Sequence, residues 1–157
     1  MTRAAGALAA LAALSAVVTI VRRQTAIVMV TGASMEPTLA EGDRVLVRRT
    51  GLRSVRTGQI VVVETPGTSG TWSGDPARRD LRRTWMIKRV GARPGEPLPG
   101  GMPATIASDP AVPDGKLVVL GDNPDISHDS RFLGYIPGDR LLGVVIGSLP
   151  RSPVGSR

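Results

Sequence analysis

The first hydrophobic feature of the chain is an uncharged run near its start. Residues 4–21 carry no charged side chain and are mostly Ala, Leu, Val and Ile. A helix of this length extends about 27 Å, close to the thickness of a bilayer's hydrocarbon core. The pattern therefore predicts an N-terminal membrane anchor over residues 1–23. A cleavable signal peptide with Arg3 as its charged n-region is the alternative, although Arg22 and Arg23 stand where small residues normally precede a cleavage site.

After the anchor, the pattern changes to short β-rich runs separated by turn residues. The predicted strands are Thr25–Val30, Arg44–Arg48, Gln59–Glu64, Thr84–Val90, Lys116–Leu120 and Arg140–Ile146. Outside the anchor, the only helical structure predicted is a single turn after Ser34. We therefore expect a small, mostly β domain over residues 24–148, followed by a flexible tail over residues 149–157.

Two polar segments interrupt the predicted strands. Residues 66–83 combine Gly, Ser and Pro with four arginines, Arg78, Arg79, Arg82 and Arg83, and are predicted to form an exposed loop. These arginines could contact phosphates or lipid headgroups, but a solvated loop is the simpler interpretation. Residues 94–114 carry six of the 13 prolines. They leave little room for an accessory domain.

Composition narrows the possible chemistry. A chain of 157 residues with a net charge of +7 predicts one domain and favours an anionic partner, such as a phospholipid surface or a nucleic acid. Aromatic residues make up only 3%, too few for a base-stacking platform. Cysteine is absent and His128 is the single histidine, which excludes thiolate sites and polyhistidine metal centres. We predict no metal and no cofactor.

Two side chains are candidates for catalysis from their surroundings alone. Ser34 lies between small residues and the bend imposed by Pro37, which would present its hydroxyl, although a lone Ser before a turn is usually a cap. Lys88 lies in a predicted apolar strand, where desolvation would lower its pKa toward that of a general base. A lysine that extends its amine to water at a strand edge is the alternative.

A third candidate is the polar segment at residues 121–131, GDNPDISHDSR, which follows an apolar strand. An Asx-rich turn is the ordinary explanation. A cation site formed by Asp122, Asp125 and Asp129 lacks the ligand spacing of a calcium loop. His128 has no obvious orienting partner.

Taken together, these segments resemble the bacterial type I signal peptidases, a membrane-bound Ser/Lys family that includes mitochondrial inner-membrane peptidases and small maturation proteases. The similar motifs occur in the family's order and cover nearly the whole chain after the anchor. They are SMEPTL at 34–39, GDRVLVRR at 42–49, TGQIVVVETP at 57–66, IKRVGARPGE at 87–96 and VPDGKLVVLGDNPDISHDSRFLGYIP at 112–137.

The resemblance implies a serine endopeptidase with a Ser/Lys dyad. Ser34 would be the nucleophile, Lys88 the general base and Ser127 the residue that orients the amine of the base. The turn and ion-pair scaffold beside the lysine strand would be formed by Gly121, Asp122, Asp129 and Arg131, joined by Arg89. The Ser34 backbone N–H would be one oxyanion donor.

The resemblance also implies a shallow pocket for small side chains at an Ala-X-Ala cleavage site. Its expected lining is Gly32, Met35, Leu39, Met86 and Ile87. Three positions depart from the best-known pattern. Gly32 stands where some members carry a hydroxyl that donates to the oxyanion, Met86 where an aromatic residue is common, and Ile126 where Asn is common.

The function expected is the removal of signal peptides from exported precursors by an enzyme of the plasma membrane. The chain would cross the bilayer once, with its catalytic domain on the extracytoplasmic side, so its partners would be precursor proteins and lipid. Two alternatives stay open. One is a protease dedicated to the maturation of a single exported substrate, and the other is a non-enzymatic basic module that binds membrane or nucleic acid.

Overall fold

The computed structural model describes residues 14–15, 19, 23–67, 72 and 84–149. They form a mostly β structure, which confirms that part of the predicted fold class. The strands are β1 (Thr25–Met29), β2 (Arg44–Arg49), β3 (Ile60–Glu64), β4 (Trp85–Ala92), β5 (Lys116–Leu120), β6 (Ile136–Pro137) and β7 (Leu141–Leu149). A one-turn helix, α1 (Ser130–Leu133), and two 3-10 turns, Leu52–Ser54 and Gly138–Arg140, complete the described elements.

The seven strands form one sheet in the order β1-β2-β7-β3-β4-β5-β6, and every neighbouring pair is antiparallel. Strand β7 is shared by two halves, because it pairs with β2 on one side and with β3 on the other. Its ladders with both neighbours contain a register shift. Such bulges bend a sheet and increase its twist, so the two halves curl around buried side chains.

The core lies on both faces of the sheet. Successive strand residues point to opposite faces, and β3 places Val61 and Val63 in one hydrophobic cluster and Val62 in another. All three valines have no exposed surface. The continuous apolar run of β3 therefore reflects a strand that is covered on both sides.

All six predicted strands are present, with ends within three residues of those predicted. The predicted turn after Ser34 also forms, and the Leu39 N–H donates to the Met35 carbonyl across 2.9 Å. Strand β6 was not predicted because a two-residue strand has no hydrophobic period. Helix α1 was not predicted either, since one turn is too short for a helical pattern.

Several predicted segments lie outside the described residues. Of the predicted anchor run, only Leu14, Ser15 and Thr19 are described, and none of the four loop arginines is. In the part of the chain that the structure describes, no helix has the length and apolar character needed to cross a membrane. Strand β7 extends to Leu149, one residue into the predicted tail. Residues 94–114 contain no strand and pack through the buried Ile106 and Val112.

Candidate active site

Ser34 lies in the connection between β1 and β2. This connection is closed at its base because the Val30 N–H donates to the Asp43 carbonyl and the Gly42 N–H donates to the Val30 carbonyl, across 2.8 and 2.9 Å. The carbonyl of Ser34 accepts a hydrogen bond from the Asn123 N–H, 3.1 Å away. The turn that carries Ser34 is thus held against the polar segment 121–131.

Lys88 lies in the middle of β4, and only 3% of the residue is exposed. Its Nζ is 2.7 Å from the Oγ of Ser34, within hydrogen-bond distance. Burial lowers the pKa of Lys88 because a charged amine loses its hydration, while the negative charge of Asp129 partly opposes this change. The fold therefore places a hydroxyl against a lysine whose neutral form is favoured.

Asp129 is buried at the centre of a hydrogen-bond network. Its carboxylate accepts from the Gly121 N–H at 2.8 Å, from the Ser127 hydroxyl at 2.7 Å and from the Arg131 guanidinium at 2.9 and 2.6 Å. Burial alone would raise the pKa of Asp129, but these donors outweigh it and hold the pKa at about 2. A fixed negative charge thus lies close to Lys88.

Ser127 is also buried, and its hydroxyl donates to Asp129. Among the hydrogen bonds of the described residues, none joins Ser127 directly to Lys88. A carboxylate is the stronger acceptor and takes the hydroxyl proton. A Cβ added at Gly121 would lie 2.1 Å from the Ser127 Oγ and 2.6 Å from the Ser34 carbonyl. Only glycine fits between these two serines.

Asp122 joins the lysine strand to the serine turn. The Arg89 guanidinium donates to both of its carboxylate oxygens, at 2.8 and 2.6 Å, and the Thr38 hydroxyl donates to Oδ2 at 2.5 Å. These hydrogen bonds, that of Arg89 first, lower the pKa of Asp122. Since Arg89 follows Lys88 directly and Thr38 follows the Ser34 turn, this cluster fixes the distance between β4 and the turn.

A cavity of about 260 Å³ opens beside the Ser34–Lys88 pair. Its lining is Met29, Val30, Thr31, Ser34, Met35, Thr65, Trp85, Met86, Ile87, Lys88, Ile126 and His128. A larger cavity of about 930 Å³ lies near Arg93 and Lys116 and includes neither Ser34 nor Lys88. Among the described residues, no three His, Asp or Glu side chains are grouped so that they could hold a metal ion.

Residues 3–98 and 101–149 match the family model for signal peptidase, peptidase S26. The chain belongs to this signal peptidase family. The resemblance identified in the sequence motifs is thereby confirmed.

Two curated signal peptidases are similar along most of the chain. A probable signal peptidase I-2 of Synechocystis sp. is 31% identical over 131 residues, which cover 71% of this chain and 56% of the relative. Signal peptidase IB of Staphylococcus aureus is 27% identical over 137 residues, covering 73% of this chain and 72% of the relative. The chain therefore spans little more than half the length of the first of these signal peptidases.

The signal peptidase motifs predicted only part of the cavity lining. Met35, Met86 and Ile87 line the cavity as expected, whereas Gly32 is exposed outside it. Leu39 does not line it either, because the helical turn after Ser34 directs this side chain into the core, where it is 4% exposed. The further lining residues Thr65 and His128 lie within the family motifs at 57–66 and 112–137, which gave them no role in the pocket, and Trp85 lies outside those motifs.

Proposed function

We propose that Ser34 and Lys88 form the catalytic dyad of a membrane-anchored signal peptidase that cleaves signal peptides from exported precursors. The observation that carries this proposal is the 2.7 Å separation between the Ser34 Oγ and the Nζ of the buried Lys88. A hydroxyl becomes an effective nucleophile only when a neighbouring base removes its proton. A lysine with a lowered pKa is such a base.

In the first step, neutral Lys88 accepts the Ser34 proton while Oγ forms a bond to the scissile carbonyl carbon. The carbonyl electron pair moves to its oxygen, and the Ser34 backbone N–H donates to that oxyanion. When the intermediate collapses, the bond to the leaving nitrogen breaks and protonated Lys88 supplies the proton that the new amine needs. The products of this half-reaction are the released mature chain and an acyl-enzyme on Ser34.

In the second step, water replaces the leaving amine. Lys88, neutral again, accepts a proton from the water as its oxygen attacks the acyl carbon. Lys88 then returns the proton to the Ser34 Oγ as the ester bond breaks, releasing a carboxylic acid. The dyad is restored without any other reactant, so no cofactor is needed.

The proposed role of the Asp129 network is to position the dyad. Ser127 acts through Asp129 as a positioning residue, because its hydroxyl is bonded to that carboxylate. Gly121, Asp122 and Arg131 hold the same segment against the serine turn and β4. Removing any of these groups would loosen the dyad without removing its chemistry.

The proposed substrate has small residues before the cut. Met35, Met86 and Ile87 form apolar walls in a cavity of only about 260 Å³ beside the dyad. A cavity of this size and character suits Ala side chains, as at an Ala-X-Ala site, better than large or charged ones. The wall residues supply contact area and exclude water from the reacting atoms.

We also propose that residues 1–23 anchor the enzyme in the plasma membrane once, with residues 24–148 as the catalytic domain on the extracytoplasmic side. An uncharged run of this length supports the anchor. Ser34 follows the end of the run by 13 residues (34 − 21), so the dyad would work near the bilayer surface, where the signal helices of precursors end.

The decisive experiment is the cleavage of a precursor with an Ala-X-Ala site in detergent micelles, with product masses measured by mass spectrometry. We expect wild type to cut after the second Ala, and Ser34→Ala and Lys88→Ala each to lose at least about 10³-fold in rate. Lys116→Ala is the matched control, since it removes the only other lysine. Full activity in Lys88→Ala, with folding confirmed by circular dichroism, would refute the dyad.

A further inference from the structure

Two exposed rings lie at the rim of the cavity that contains Ser34 and Lys88. His128 lines the cavity, and its ring stacks on that of Phe132 with centroids 5.5 Å apart and planes inclined by 20°. Phe132 is 67% exposed, and the neighbouring lining residue Ile126 is 58% exposed. The chain contains one His and one Phe, so both are placed at this rim.

The backbone that carries these side chains is firmly held. Ser127, Asp129 and Ser130 are all buried, whereas His128 between them is exposed. The Ser130 Oγ accepts from the Val119 N–H at 2.9 Å, and the Asp129 carboxylate caps helix α1 by accepting from the Arg131 N–H. The contact surface is therefore already ordered, and a bound group would cost little further entropy.

The rim opens onto the same cavity as Lys88. His128 is flanked by Ser127 and Asp129, and the Asp129 charge acts directly on Lys88. The apolar walls are formed by Met35 from the turn after Ser34 and by Met86 and Ile87 from the start of β4. In the proposed mechanism, Lys88 protonates the leaving nitrogen, so the substrate residues that follow the cut pass close to this amine.

We propose that Ile126, His128 and Phe132 are specificity-determining residues that contact apolar side chains of the substrate immediately after the scissile bond. This inference rests on the proposed peptidase function. The stacked rings and Ile126 present adjoining apolar surface that the fold leaves uncovered at the cavity mouth. A Leu side chain laid on this surface would remove apolar area from water on both partners.

The test uses full-length protein in detergent micelles with two soluble peptides. Both have Ala-X-Ala before the cut, and they carry either Leu-Leu or Gly-Gly directly after it. We expect wild type to favour the Leu-Leu peptide. We expect Phe132→Ala and His128→Ala to raise the KM for the Leu-Leu peptide about 3- to 10-fold. The kcat for this peptide, and both KM and kcat for the Gly-Gly peptide, should change less than about twofold. Ile146→Ala is the matched control, since Ile146 is 50% exposed but lies outside the cavity lining.

Other outcomes would overturn the inference. Equal losses of activity on both peptides would mean that His128 and Phe132 have a structural role. Unchanged kinetics in both variants would mean that the rings do not contact the substrate. If the variants lose activity only on a membrane-anchored precursor in phospholipid vesicles, the two rings contact the bilayer and not the substrate. If wild type cuts neither peptide, the proposed function fails as well. If wild type cuts both peptides equally well and Ser34→Ala cuts neither, the peptidase function stands. Only the proposed role of Ile126, His128 and Phe132 is then wrong.

Discussion

At the scale of single residues, the dyad depends on a lysine that can lose its proton. Lys88 is nearly fully buried, and desolvation lowers its pKa below the ordinary value of 10.5. Ser34 provides a close partner for the amine at 2.7 Å. The proposed proton transfer therefore depends on the buried position of the Lys88 amine. Replacing Lys88 by another type of side chain tests it directly.

We predict that Lys88→Arg lowers the cleavage rate at least about 10³-fold, because a guanidinium stays protonated and cannot accept the Ser34 proton. In wild type, the base is active when neutral, so the rate falls as the pH falls through the pKa of Lys88. The acid limb of the pH–rate profile should accordingly lie below pH 10.5. Lys116→Arg should leave that profile unchanged. A Lys88→Arg enzyme with wild-type kcat would contradict the general-base role.

Gly121 supports a second residue-level prediction. In Gly121→Ala, the new Cβ would overlap the Ser127 hydroxyl and the Ser34 carbonyl, so one of the two serines must move. Overpacking of this kind costs about 1–3 kcal/mol of folding stability, and we expect kcat to fall at least about tenfold. Thermal unfolding and peptide cleavage would be measured together. Gly51→Ala is the control, because a Cβ there meets nothing within 4 Å; equal behaviour of the two variants would contradict the prediction.

At the scale of elements, the site depends on how β4 and the turn after β1 are held together. Arg89 and Asp122 link them through Thr38, and the Ser34 carbonyl bonds to Asn123 beyond the end of β5. No single strand contains the site. Its geometry is a property of three chain segments joined by hydrogen bonds between side chains and backbone.

We predict that Arg89→Gln lowers kcat several-fold while changing the free energy of unfolding by no more than about 1 kcal/mol, since partly exposed ion pairs contribute little stability. Arg93→Gln is a close control. Arg93 follows the same strand and pairs with Glu96 at 2.8 Å, away from the serine turn. Equal kcat in both variants would show that the Arg89 link does not position the dyad.

Much of this architecture could be predicted from the sequence, because strands such as β3 and β5 are β-branched runs bounded by turn residues. The pairing of Ser34 with Lys88 could not come from local patterns, since 54 residues separate them; family motifs supplied it. Leu39 does not line the cavity because the turn directs its side chain into the core, and motif position does not tell which way a turn directs a side chain. Thr65 and His128 lie within the family motifs, but their place in the cavity follows from tertiary packing, which motif membership did not indicate.

At the scale of the whole molecule, the described sheet begins immediately after the predicted anchor. Thr25 already pairs with Arg48, so the strand ladder starts two residues beyond residue 23. We predict that a chain truncated to residues 24–157 still cleaves soluble peptides within about threefold of wild type but no longer sediments with membranes. Flotation of both proteins with vesicles measures this. If the truncated protein still binds vesicles at high salt, the membrane anchor does not lie in residues 1–23.

The position of β7 has a consequence for the order in which the enzyme can assemble. Ser34 belongs to the half of the sheet formed by β1 and β2, and Lys88 to the half formed by β3, β4 and β5. The strand that joins these halves, Leu141–Leu149, is the last described element to leave the ribosome. Pairing of such distant segments is slow and late. We expect a nascent chain that already carries Ser34 and Lys88 to remain unable to cleave peptides until β7 has been synthesised and has joined the two halves.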